Sequence, residues 1–119
     1  MAAGDNKKIQ AELVALREKL NKAERRRDYA IVAEACLEII ALDKRVPTLN
    51  ILAFLYHKDL GIAYLKLLEF ENALASFKTA REGLIHYRAT AKLKYPEDWL
   101  NELKVIDRLI HKTETVHLR

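Results

Sequence analysis

The chain has 119 residues, enough for one domain with a single modest core and too few for a second independent one. Half of the residues are hydrophobic and 32% are charged, while Gly (3) and Pro (2) are scarce; this balance suits helices, argues against a strand-and-turn protein and excludes a disordered chain. The formal charge of +4 arises from 21 bases interspersed with 17 acids, which mildly favours acidic partners but is not polycationic.

Asp5 or Asn6 is placed to cap a first helix, whose apolar positions Ile9, Leu13, Leu16, Leu20 and Ala23 recur at three- and four-residue spacing. That stripe halts at Arg25-Arg26-Arg27-Asp28. A second stripe, Tyr29, Val32, Ala33, Cys36, Leu37, Ile39 and Ile40, is too wide for a surface helix and predicts one packed on two sides. Asp43-Lys44-Arg45-Val46-Pro47-Thr48 is the clearest break, because Pro47 disfavours helix in the residue before it and Thr48 can cap the next helix. A third helix is expected from about Leu49 to Lys66, then a short turn around Leu67 to Glu71. The fourth helix carries Ala73, Phe77, Ala80, Leu84, Tyr87, Ala91 and Tyr95 on one stripe, weakened but not ended by Gly83. Pro96-Glu97-Asp98 reads as the first turn of a fifth helix, with proline where its missing N–H is harmless and two carboxylates near the positive dipole end. Trp99, Leu103, Ile106 and Ile110 supply its buried face, and Thr113 to Arg119 is expected to fray.

Helical hairpins joined by short turns call for a search for internal repeats. Leu60-Gly61-x-Ala63-Tyr64, followed by Phe70, Ala73, Phe77 and Ala80, resembles the tetratricopeptide repeat nearly position for position, over about Phe54 to Ile85. The spacing has a mechanical basis: Gly61, Ala73 and Ala80 are small where two helices approach, while Tyr64, Phe70 and Phe77 fill the gaps beside them. Glu18 to Ala23, continuing through Asp28-Tyr29 to Leu42-Asp43, resembles a degenerate first repeat. There Leu20 replaces the glycine, Val32 the first alanine, Cys36 the aromatic and Ile39 the second alanine, so this hairpin should be splayed. The offset from Leu20 to Gly61 is 41 residues, against the roughly 34 usual for such repeats.

The resemblance implies an all-α single domain of stacked antiparallel hairpins with five helices. A first repeat covers about 7–43, a linker 44–48, a second repeat about 49–95, and a capping helix 96–112. Two repeats leave terminal faces uncovered. The fifth helix is the natural lid for the second hairpin, and the open side of the first is a candidate for homodimer contact or for a larger complex.

In the tetratricopeptide family the first helix of each hairpin lines a concave groove. The resemblance places Val14, Arg17, Asn21 and Glu24 there from the first repeat, and Leu55, Lys58, Ile62, Leu65 and Lys66 from the second. On the fifth helix Lys104, Arg108 and Lys112, spaced by four, form a positive stripe. The expected groove is apolar in the middle and basic at its rim, suited to an amphipathic helix or an extended acidic segment of a protein partner. The implied role is that of an adaptor, scaffold or co-chaperone-like subunit. Some relatives clamp the acidic C-termini of heat-shock chaperones; Arg17 and Asn21 match the first pair of that clamp. Asp59 stands where its second asparagine is expected, and a carboxylate there would repel the bound group.

Chemistry is not signalled. His57, His86, His111 and His117 have no metal-ligand spacing, and His57 sits where the repeat often packs an aromatic. Cys36, the single cysteine, lies on the most apolar helix and reads as an inert core thiol in a reducing compartment. Ser76 is the only serine and the three glycines are isolated. No catalytic, metal or cofactor residues are therefore expected, and the chain does not read as an enzyme. No apolar run approaches the roughly 18–20 residues of a bilayer span, and Met1-Ala2-Ala3-Gly4-Asp5-Asn6 lacks the order of a secretion signal, so a soluble cytoplasmic protein is expected. The alternative from another class is a basic subunit of a ribonucleoprotein or chromatin complex. Arg25-Arg26-Arg27 and the cluster Arg88, Lys92 and Lys94 would contact phosphates, but no aromatic platform is interleaved with them.

Overall fold

The computed structural model describes residues 3–119, with side-chain surroundings from Asn6 onward. Its helices are α1 (Ala3–Arg26), α2 (Tyr29–Arg45), α3 (Ala53–Lys66), α4 (Phe70–Thr90) and α5 (Leu100–Lys112), joined by a 3-10 turn at Pro47–Leu49 and followed by a π turn at Thr113–His117. Among the described residues there is no strand, so the fold is all-α, and no helix is long and apolar enough to cross a membrane.

Helices α1 and α3 end in the same way. Arg27 and Leu68 both take left-handed backbone conformations, with φ of 55° and 63°. Arg27 N donates to Glu24 O and Leu68 N to Leu65 O, each at 3.1 Å; Asp28 N donates to Ala23 O at 3.0 Å and Glu69 N to Tyr64 O at 2.8 Å. Such bonds around a left-handed residue satisfy the carbonyls that a helix end would otherwise orphan. Each pair of equivalent residues is 41 apart, the offset that separates Leu20 from Gly61. The backbone thus repeats itself even where the side chains have diverged.

These short turns fold each helix back on its predecessor. Glu12 meets Arg45 at 2.8 Å while Lys19 meets Glu34 at 3.3 Å, and Gly61 faces Phe77 as Gly83 faces Phe54, so both hairpins are antiparallel. Helices α3 and α4 stay close along more of their length than α1 and α2, where Leu20 and Cys36 stand in place of Gly61 and Phe77. As its wide stripe predicts, α2 is packed on two sides, by α1 and α3, and buries Val32, Ala33, Ala35, Cys36, Ile39, Ile40 and Leu42; Leu37 alone leaves the stripe for solvent. One core cluster joins α1, α2 and the middle of α3. A second joins Phe54, Ala80, Leu84 and Ile106, flanked by Tyr87, Trp99, Leu103 and Ile110. The body measures 51 × 36 × 22 Å along its principal axes.

Several boundaries differ from expectation. Helix α1 begins at Ala3, so Asp5 and Asn6 lie inside it instead of capping it. Helix α2 runs to Arg45, and α3 starts at Ala53, because the 3-10 turn and the left-handed Asn50 (φ 56°) occupy the interval; Thr48 is exposed, and Leu52 holds the cap position without a side-chain bond. Helix α4 stops at Thr90, where Ala91 turns extended, leaving Tyr95 outside the helix and exposed. Arg88 draws the returning chain inward by donating to Pro96 O at 2.6 Å and Asp98 O at 3.0 Å. Pro96, Glu97 and Asp98 form a turn before α5, not its first turn: Asp98 Oδ2 accepts from Tyr95 N, and Trp99 takes a left-handed φ of 70° at the cap. That conformation sets the indole edge-on against Phe54 and Tyr87, with ring centroids 5.5 and 6.0 Å away. The tail does not fray: Thr113 is fully buried with its hydroxyl on Leu109 O, and His117 stacks on Phe70 with centroids 4.6 Å apart.

Candidate partner-binding face

Helices α1, α3 and α5 are tied together at their edges by two polar bridges. Arg17 Nε donates to the Tyr56 hydroxyl at 3.1 Å, linking α1 to α3. Lys58 pairs with Glu102, linking α3 to α5, with side chains only 18% and 22% exposed. Lys58 is therefore a tie between helices and not a free rim cation.

Where α1 and α3 diverge over α2, Glu24, Tyr29, Val32, Asp59, Ile62 and Ala63 line a cleft of about 230 Å³. Of the residues that the resemblance assigns to the groove, Glu24 and Ile62 both line this cleft. Asn21 and Val14 are exposed farther along α1. Leu55 and Leu65 are half-buried on α3, with Leu55 packed against the Phe54–Ile106 cluster. Lys66 is exposed, its ammonium 6.0 Å from the centroid of the Tyr29 ring.

The positive stripe of α5 lies elsewhere. Each helical residue advances about 100°, so Lys104, Arg108 and Lys112 fall on the side opposite the buried Ile106, all exposed to solvent. The charged residue that α5 turns toward α3 is Glu102, beside the apolar Ile106 and Leu103. The groove is therefore less basic than the sequence suggests, and its centre is acidic.

That centre has unusual electrostatics. Burial pushes the Asp59 carboxyl up to about 6, and the neighbouring Glu24 adds to the rise; Lys58 opposes it and Glu102 contributes slightly. Neither Asp59 nor Glu24 has a side-chain hydrogen bond or ion pair among the described residues. Tyr29 and Tyr56 belong to this face although the resemblance does not assign them to the groove, and Asp59, expected only as an obstacle to a chaperone clamp, lines the cleft. Tyr56, Asp59 and Ile62 recur at a three-residue step along one side of α3, which is the signal that could have found them.

The reactive residue types are differently disposed. Cys36 is fully buried, and desolvation lifts its thiol to about 12, which leaves no thiolate near neutrality. Burial lowers the His57 pKa, helped by Lys44 and opposed by Asp43. Among the described residues no three His, Cys, Asp or Glu side chains converge on a metal position. Of the second basic cluster, Arg88 is consumed by the carbonyls of Pro96 and Asp98. Comparison with protein-family models, with curated proteins and with solved structures finds no match to this chain.

Proposed function

We propose that this chain is a tetratricopeptide-like adaptor or scaffold subunit of the cytoplasm that holds a segment of one partner protein against the face built by α1, α3 and the start of α5. The observation that carries the reading is the α1–α3 cleft: half-buried Ile62 stands beside the carboxylates of Glu24 and Asp59, which have no side-chain partner among the described residues, and half-buried Leu65 follows on the same helix. Apolar surface of this kind gains by burial, and convergent polar groups fix the orientation of what is buried. The hydrogen-bonding pattern repeated at 41 residues supports stacked repeats, and stacking leaves a face of successive first helices open to a guest. Because Glu24 and Asp59 lie at the centre, an amphipathic segment suits the face better than a purely acidic one.

Affinity capture from the native source with the unaltered chain, then with Ile62→Glu and Leu65→Glu combined, tests this. Recovery of the partner should fall by about tenfold or more while helicity, read by circular dichroism, is retained. Unchanged recovery would show that another surface binds.

A further inference from the structure

Resting on that reading of the α1–α3 face, we propose that its cleft receives a single lysine or arginine side chain of the partner, the cationic head between Glu24 and Asp59 and the stem against Tyr29, Val32 and Ile62. At about 230 Å³ the cleft is smaller than sites that enclose a whole small-molecule ligand. It is sized for one side chain. Its lining combines the two chemistries of such a side chain, with carboxylates contributed by α1 and α3 and an aromatic ring with aliphatic groups beside them.

Among the described residues no cation of the chain pairs with Glu24 or Asp59. Lys58, next to Asp59 in sequence, is engaged by Glu102. Arg17 is turned to the Tyr56 hydroxyl. Lys66 lies two helical turns beyond Asp59, about 10 Å along the axis, and rests over the Tyr29 ring. That contact shows the ring already accepting a cation on its face. Two neighbouring carboxylates, one of them partly withdrawn from water, repel each other until a positive charge joins them. A guanidinium or ammonium arriving from outside relieves that repulsion and makes charge-assisted hydrogen bonds with both.

The same geometry gives binding a pH dependence. The charged and titratable groups around Asp59 are Glu24 from α1, Tyr29 and Cys36 from α2, Lys58 on α3 itself and Glu102 from α5. Burial and Glu24 hold the Asp59 carboxyl up near 6. As pH falls through that value the carboxylate is lost, and affinity for a cationic side chain falls with it.

The experiment is an amide NMR titration of the full chain with acetyl-arginine methylamide, acetyl-norleucine methylamide and magnesium chloride in turn. The arginine probe should give saturable shifts at the amides of Glu24, Tyr29, Asp59 and Ile62. Asp59→Asn and, separately, Glu24→Gln should each weaken it about tenfold, and the unaltered chain should bind it less well at pH 5 than at pH 7.5. Equal shifts with the norleucine probe, the same shifts with magnesium alone, or indifference to both substitutions would overturn the proposal. The broader reading fails separately: if partner capture collapses with Ile62→Glu and Leu65→Glu, yet replacing every Lys and Arg of the captured segment with norleucine leaves its affinity unchanged, the adaptor stands and the cation receptacle falls. If the arginine probe binds but capture is indifferent to the two glutamates, the receptacle stands and the adaptor face falls.

Discussion

A methyl group has no room at Gly61. A Cβ there would lie 2.5 and 2.6 Å from Cε1 and Cδ1 of Phe77, a ring that is fully buried and enclosed on every side. Replacing Gly by Ala inside a helix normally gains about 1 kcal/mol, but overpacking of this kind costs about 1–3 kcal/mol. Gly61→Ala should therefore lower the melting temperature. At Gly83 the nearest atom to a new Cβ is Phe54 Cβ at 3.2 Å, so the helix gain is nearly offset and Gly83→Ala should leave stability close to that of the parent. Thermal unfolding followed by circular dichroism distinguishes them; equal melting temperatures for the two variants would contradict the close approach of α3 and α4. The importance of Gly61 was legible in the sequence, because a glycine sixteen residues before an aromatic in a small-large rhythm implies two helices in contact. The character of Asp59 was only half legible. Its position on α3 follows from spacing, whereas its proximity to Glu24, thirty-five residues earlier, exists only after α1 and α3 have packed across α2.

At the scale of elements, the five helices followed directly from apolar periodicity, and their ends did not. The stripe through Ala73, Phe77, Ala80 and Leu84 continues arithmetically to Ala91 and Tyr95, but periodicity cannot register the moment when Arg88 captures carbonyls of the returning chain. Likewise, a four-residue step groups Lys104, Arg108 and Lys112 on one side of α5 without saying which side meets α3. The side that meets α3 carries Ile106 and Leu103 in the cluster of Phe54, and Glu102, whose bond joins Lys58, 44 positions away in sequence. The pair is mostly shielded from water, so its coupling should exceed that of an exposed surface pair. A double-mutant cycle with Lys58→Met and Glu102→Gln, read by urea unfolding, should return a coupling energy of about 1 kcal/mol. A value indistinguishable from zero would mean that α5 is held by its apolar face alone.

For the whole molecule, the two core clusters imply unequal resistance to opening. Helix α2 is covered on both sides and buries seven side chains, while α5 rests on α4 and buries only Ile106 completely. Segments with few buried apolar contacts open at lower free energy than the global transition. Native-state hydrogen exchange should therefore show the amides of Ile106 and Leu109 exchanging through a cheaper opening than those of Cys36 and Ile39. Identical opening energies would make the chain one cooperative unit. Trp99, the single tryptophan, sits at the seam of α4 and α5 and reports on that opening by fluorescence.

The elongated body also acts as a ruler for whatever lies along it. Crossing its 51 Å axis takes about 15 residues of extended chain or about 34 residues of helix. A helical guest of ordinary size, about 12 residues, spans about 18 Å and leaves most of that dimension bare. A guest of about 15 residues touches both ends at once only in extended form.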